Sequence, residues 1–218
     1  MEITHFTATI DHTNLKPDAT REDIGKLCAE AKQHGFAAVC INPTHVAHAA
    51  RLLEDSSVVV AAVAGFPLGA TTTATKAFEA GEAVANGASE VDLVINVAAL
   101  KEGRTRVVSE EISRVRTAIE SAYLKVILET GLLDAEEKRL AIRIAADSGA
   151  DMLKTSTGFF GGATEEDVVM FKELAPHLGI KASGGIREAE SALRLLAAGA
   201  TRLGTSSAIQ IIAELQEK

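Results

Sequence analysis

The sequence contains no tryptophan, one tyrosine and 7 phenylalanines. Phe6, Phe36, Phe159 and Phe160 fall at no regular spacing, so the chain offers no aromatic platform for stacking successive bases. Cys28 and Cys40 are the only cysteines, too few for a disulfide scaffold and as expected in a reducing cytoplasm. Positive charge is in deficit: 22 Lys and Arg face 30 Asp and Glu, a net charge of -8. No broad cationic surface is left to neutralise a nucleic-acid backbone or an anionic leaflet. The four prolines mark no linker, no low-complexity tract divides the chain, and no basic stretch followed by a long apolar run comes after Met1. The expectation is one cytoplasmic domain over residues 1–218, 47% apolar and able to bury a sizeable core, with neither nucleic acid nor membrane as partner. Small anions remain possible ligands, because backbone amides can hold phosphate inside an acidic protein.

Short runs rich in Val, Ile and Leu alternate with segments of helical period, as parallel strands alternate with crossover helices. The strand candidates are Ala8 to Thr13, Ala37 to Ile41, Val58 to Gly65, Glu90 to Asn96, Lys125 to Thr130, Met152 to Thr157, Ile180 to Gly184 and Arg202 to Ser206. Thr20 with Asp23, Asp134 with Glu137 and Thr164 with Asp167 carry N-terminal capping signals. Gly35, Gly87, Gly149 and Gly199 read as helix terminators. They mark every second unit of a repeat of roughly 25 residues, the length of one strand, one helix and two loops. The leading architecture is therefore an α/β fold, a closed (β/α)8 TIM barrel. An open doubly wound sheet is the alternative, but no glycine fingerprint for a dinucleotide is present.

In such a barrel chemistry sits at the carboxyl ends of strands, so charged residues inside strand runs are informative. Asp92, Lys154 and Lys181 are three. Alternation puts Asp92 on one face with Asn96, Lys154 with Ser156, and Lys181 with Ser183. A structural ion pair plugging the barrel is one reading. One aspartate cannot neutralise two lysines, however, and burial beside a second cation favours the neutral amine. A neutral buried lysine is a nucleophile toward carbonyls, and imine formation is the chemistry this arrangement serves best.

Gly184-Gly185-Ile186-Arg187 and Gly204-Thr205-Ser206-Ser207 follow the seventh and eighth strands. Each is expected to open a helix, where free N–H groups hold phosphate. Thr157 and Gly158 add a third loop to that rim. Asp11 and Thr13 either meet substrate hydroxyls or support the lysines, and Cys40 is either a core residue or part of the pocket wall. His45 and His48 lack a third ligand at compatible spacing, and no metal site is expected.

Ile10-Asp11-His12-Thr13, Val39-Cys40-Ile41, Gly65-Phe66-Pro67-Leu68-Gly69-Ala70, Glu90-Val91-Asp92, Leu128-Glu129-Thr130, Lys154-Thr155-Ser156-Thr157-Gly158 and Lys181-Ala182-Ser183-Gly184-Gly185-Ile186-Arg187 occur in this order. In these motifs the sequence resembles the deoxyribose-phosphate aldolases, class I aldolases that use no metal. The resemblance implies a (β/α)8 barrel, no cofactor, a phosphosugar substrate and a homodimer. It implies Lys154 as the Schiff-base lysine, Lys181 as the neighbour that tunes it, and Asp92 as the group that moves protons. It places the phosphate on Gly158, Gly184, Gly185, Arg187, Gly204, Ser206 and Ser207. Two positions depart from the pattern. Phe159 stands where some members carry a phosphate-binding lysine, and the only tyrosine is Tyr123, whereas some members use a terminal one.

Overall fold

In the computed structural model, which describes residues 3–217, eight parallel strands close into a barrel in chain order. They are β1 Ile10–Asn14, β2 Ala38–Ile41, β3 Val59–Ala64, β4 Glu90–Val94, β5 Tyr123–Ile127, β6 Met152–Lys154, β7 Gly179–Ser183 and β8 Arg202–Thr205. β8 returns to β1 with Asp11 opposite Gly204, so no strand edge is left unpaired. The helices are α1 Ile3–Thr7, α2 Arg21–His34, α3 Val46–Leu52, α4 Thr73–Ala85, α5 Val97–Lys101, α6 Thr105–Ala118, α7 Ala135–Asp147, α8 Glu165–Leu174, α9 Ala189–Ala198 and α10 Ala208–Gln216. This is the (β/α)8 architecture, and a closed barrel excludes the open sheet.

Local signals place the elements. Thr20 and Asp134 each close a capping box, on Asp23 and Glu137, which satisfies first-turn donors that would otherwise be orphaned. Thr164 accepts from the Asp167 amide without the reciprocal bond. Gly35, Gly87, Gly149 and Gly199 all have positive φ, at 66°, 107°, 98° and 123°, where a side chain would clash with the backbone.

Several strand ends differ from expectation, among them β6, which stops at Lys154 and not at Thr157, and the changes in β4 and β5 have consequences for the site. β5 begins at Tyr123, which moves Lys125 from a strand boundary into the middle of the strand, opposite Asp92. β4 stops at Val94. Asn96 leaves the strand and caps α5, its side-chain oxygen accepting from the Ala99 amide at 3.0 Å. Chain exit from the barrel therefore overrides the strand alternation that would have paired it with Asp92.

Alternation divides the strands between two environments. Ile10, Val39, Ile41, Val91, Leu93, Leu124, Val126, Leu153, Ile180 and Leu203 join the helices in one buried apolar layer. Inside the barrel, β2 and β3 contribute small apolar groups, Ala38, Cys40, Ala61 and Val63. The other strands contribute charge: Asp11, Glu90, Asp92, Lys125, Lys154 and Lys181 are all buried. Burying each Val, Leu or Ile stabilises by about 1.5–3 kcal/mol. That outer layer offsets the several kcal/mol per ion that desolvating the interior costs.

Candidate active site

The interior charges form one connected network. Lys154 and Lys181 donate to the same oxygen of Asp92, Oδ2, at 2.7 and 2.8 Å. Lys125 donates to the other, Oδ1, at 2.9 Å, and also pairs with Asp11 at 3.2 Å and with Glu90. Asp11 is further bonded to Lys181 and, at 2.6 Å, to Arg202, which reaches Glu90 at 3.3 Å. Four cations (Lys125, Lys154, Lys181, Arg202) thus meet three carboxylates (Asp11, Glu90, Asp92), one positive charge too many. Neutralising a single lysine balances the cluster.

Electrostatics select which one. Burial pulls the Lys154 ammonium below its usual range, Asp92 opposes this, and Lys181 reinforces it. Lys181 meets the same desolvation, but Asp11 and Asp92 outweigh it and hold the group well above the usual lysine range. Lys125 is held up in the same way by Asp11, Asp92 and Glu90. Asp92, although buried, is kept well below the carboxylate range by Lys125, Lys154 and Lys181. Lys154 is therefore the one lysine of the three that its surroundings push toward the neutral amine.

It is also the member that meets the cavity. A cavity of about 200 Å³ at the carboxyl end of the barrel is lined by Lys154 together with Thr13, Leu15, Thr157, Gly158, Ser183, Gly184, Gly185, Ile186, Arg187, Gly204, Thr205 and Ser206. An adjoining groove of about 720 Å³ shares Thr13, Leu15, Thr157 and Ser206 with it and adds Ser207 and Phe159. One wall is built of backbone packed on backbone: a β-carbon on Gly184 would lie 2.9 Å from the Gly161 oxygen and 3.1 Å from Gly158 Cα. Gly204 serves a different purpose. A β-carbon there would stand 2.9 Å from Lys181 Cε and collide with Ser183 Oγ, so this glycine makes room for the lysine.

The expected phosphate residues thus come together, with two local differences. Gly184-Gly185 does not open a helix directly, since α9 starts only at Ala189. Ser207 is the N-cap of α10 but makes no side-chain cap bond, which leaves first-turn N–H groups available to an anion. Arg187 is exposed at the rim and enters no ion pair among the described residues. Asp11 does not reach the cavity: it is fully buried, and its oxygens are occupied by Lys125, Lys181 and Arg202. Cys40 is fully buried beside the cluster, its sulfur 3.8 Å from Asp92. Thr13 lines the cavity. His45 and His48 belong to a turn and to α3, and no group of three His, Cys, Asp or Glu among the described residues could hold a metal.

Sequence reasoning missed Lys125, Glu90 and Arg202. Each stood at the start of an expected strand, where a charged residue reads as a boundary. Their shared signal was one charged residue at the entrance of three separate apolar runs.

Fold and site together define a (β/α)8 barrel with one acidified lysine opening from a buried ionic cluster into an anion-sized cavity. Comparison with known proteins narrows this class. The model of the DeoC/LacD family aldolases matches residues 6–209, and the chain belongs to that family. It is 56% identical over 206 residues to the deoxyribose-phosphate aldolase of Geobacillus sp. (strain WCH70), covering 93% of this chain and 92% of that one. To the deoxyribose-phosphate aldolase of Staphylococcus carnosus (strain TM300) it is 54% identical over 213 residues, covering 97% of each. Its fold superposes on the tetrameric deoxyribose phosphate aldolase of Aeropyrum pernix with a TM-score of 0.93 at 33% identity, over 99% of this chain and 92% of that one.

Proposed function

We propose that the chain is a class I aldolase that reversibly cleaves 2-deoxy-D-ribose 5-phosphate to acetaldehyde and D-glyceraldehyde 3-phosphate through an imine on Lys154. The observation that carries this reading is the position of Lys154. It alone in the charged cluster lines the cavity, and it alone among the three lysines is pushed toward the neutral amine.

Neutral Lys154 attacks the C1 aldehyde of the open-chain sugar, and loss of water gives a protonated imine. The protonated imine restores the positive charge that the amine had given up and gives Asp92 back its third cationic partner. Asp92 is fully buried behind Lys154 and does not line the cavity, so it accepts the C3 hydroxyl proton only by way of a water, with Lys181 fixing its carboxylate. The C2–C3 bond breaks, its electrons pass into the imine as an enamine, and D-glyceraldehyde 3-phosphate leaves. The proton returns from Asp92 through the water to C2, and hydrolysis of the resulting imine releases acetaldehyde and regenerates the Lys154 amine. Amides of Gly158, Gly184, Gly185 and Gly204, the hydroxyls of Ser206 and Ser207, and Arg187 hold the phosphate, so remote binding orients the reacting carbons.

The same reading takes the chain as a single cytoplasmic domain that assembles as a homo-oligomer with a dimer as its unit. Two unpaired cysteines support the compartment. The described residues contain no helix long and apolar enough to cross a membrane. The tetrameric relative supports assembly.

The test is covalent. Substrate plus borohydride should add a stable mass to the peptide containing Lys154, and the Lys154→Met variant should neither be labelled nor turn over. Turnover without an adduct would refute imine catalysis.

A further inference from the structure

Glu129 lies in the Leu128-Glu129-Thr130 segment between β5 and α7, and the cleavage scheme gives it no task. It has φ 57°, a left-handed conformation that side chains other than glycine avoid. The cause is a slip in register. Leu128 N donates to the Lys154 oxygen and Thr130 N to the Thr155 oxygen, both at 3.0 Å, so residues two apart on one side answer neighbours on the other. Glu129 is the extra residue, a bulge at the mouth of the barrel, and bulges re-aim side chains.

The carboxylate is aimed across the end of β6. It accepts the Thr157 hydroxyl at 2.5 Å and the Thr157 amide at 3.2 Å. Thr157 Oγ1 in turn accepts the Phe159 amide at 3.1 Å. The Thr157 hydroxyl hydrogen is therefore committed to Glu129 and is not free to reach an anion. Glu129 is only 1% exposed, and burial raises its carboxyl above the usual range while the Thr157 bonds and Lys154 oppose the rise. A strained backbone and a buried carboxyl are two unfavourable features at one position, and such features persist where surrounding structure enforces them.

We propose that Glu129 is a positioning residue of the anion pocket: through the Thr157 hydroxyl it holds the Thr157–Phe159 turn, which forms one wall of the cavity, in its binding conformation. This rests on the aldolase reading of the site. The ligand it serves is the phosphate group, since Gly158 sits inside the turn that Thr157 and Phe159 bracket, against Gly184.

Steady-state kinetics with 2-deoxyribose 5-phosphate and competitive inhibition by inorganic phosphate test the proposal. Glu129→Gly accepts the left-handed backbone without strain but removes the acceptor. We expect KM and the phosphate inhibition constant to rise about tenfold while kcat changes less than about threefold, the pattern of lost uniform binding. Glu129→Gln keeps an oxygen for the Thr157 hydroxyl and should return both constants to within about threefold of the parent. Thr157→Val should reproduce the Glu129→Gly shift, and the double variant should be no worse than either, as in a coupled pair. Unchanged constants in Glu129→Gly, a fall in kcat with KM unmoved, or failure of Gln to rescue would each overturn it. If Glu129→Gly does not fold, Thr157→Val decides alone, by the same KM criterion. Borohydride trapping of the parent separates the two claims, because an untrapped parent refutes the aldolase reading, whereas a trapped parent with unshifted variants refutes only the role of Glu129.

Discussion

Lys154 and Lys181 face each other as register partners across β6 and β7, and their ammonium groups converge on a single oxygen of Asp92. The shared oxygen cannot fully satisfy both. The second contact of Lys181, with Asp11, helps to hold its ammonium above the usual range, whereas burial and the neighbouring Lys181 push Lys154 toward the neutral amine. The two differ in their surroundings, since Lys181 has a second carboxylate and Lys154 has a cavity.

Removing Lys181 should therefore move the pH dependence of activity. In Lys181→Met the repelling cation is gone, and Asp92 keeps more of its charge for Lys154. Both changes raise the Lys154 pKa toward its ordinary 10.5. The ascending limb of kcat/KM against pH should move to higher pH, and the neutral-amine fraction at neutral pH falls about tenfold for every pH unit that the limb moves. A limb that stays in place or moves to lower pH would contradict the tuning role.

Two lysines of the same cluster should have opposite effects on stability. Lys125 bridges Asp11, Glu90 and Asp92, and Lys125→Leu leaves buried carboxylates underpaired, at a cost of about 3–5 kcal/mol. That corresponds to a melting temperature lower by roughly 6–20 °C for a chain of this length. Lys154→Met removes the lysine whose burial disfavours its charged form and leaves Asp92 with Lys125 and Lys181, so near neutral pH it should melt no lower than the parent, and up to several degrees higher, though inactive. Scanning calorimetry of both variants at one pH checks the contrast. Since the parent Lys154 has a depressed pKa, its stability should rise as pH increases between that pKa and 10.5, a slope that Lys154→Met abolishes.

Gly204→Ala isolates a purely steric demand. The backbone there is not left-handed, so the added methyl acts only through its contacts with Lys181 and Ser183. We expect a loss of about 1–3 kcal/mol from overpacking. We also expect kcat to fall, because Lys181 is pushed from Asp92. Wild-type kcat in a folded variant would show that Lys181 has room to spare.

Phe159 sits 59% exposed on the groove beside Thr157 and Ser207, its ring edge-on to Phe66 at 5.6 Å between centroids. Phe159→Lys exchanges that aromatic contact, about 0.5–1.5 kcal/mol, for a cation at the phosphate rim. KM for 2-deoxyribose 5-phosphate should fall about three- to tenfold, while turnover of unphosphorylated 2-deoxyribose should not improve. Equal effects on both substrates would show that the ammonium does not reach the phosphate.

Much of this protein was legible in one dimension. Capping pairs such as Thr20 with Asp23, and the four recurrent glycines, act through bonds and torsions within a few residues, so their meaning travels with the local sequence. Strand alternation, also local, put Asp92, Lys154 and Lys181 on inward faces, and the loops after β7 and β8 announced themselves through glycine and serine. What the chain order could not reveal was which charges share a cavity. Lys125, Glu90 and Arg202 entered the cluster only once barrel closure brought β8 beside β1 and set the register of β4 on β5. Asp11 was turned from a candidate substrate contact into a clamp by cations that lie 114, 170 and 191 residues away along the chain. The proton balance at Lys154 is a sum over all these long-range neighbours in a medium that screens them weakly. Such a sum has no value until the tertiary structure fixes the distances.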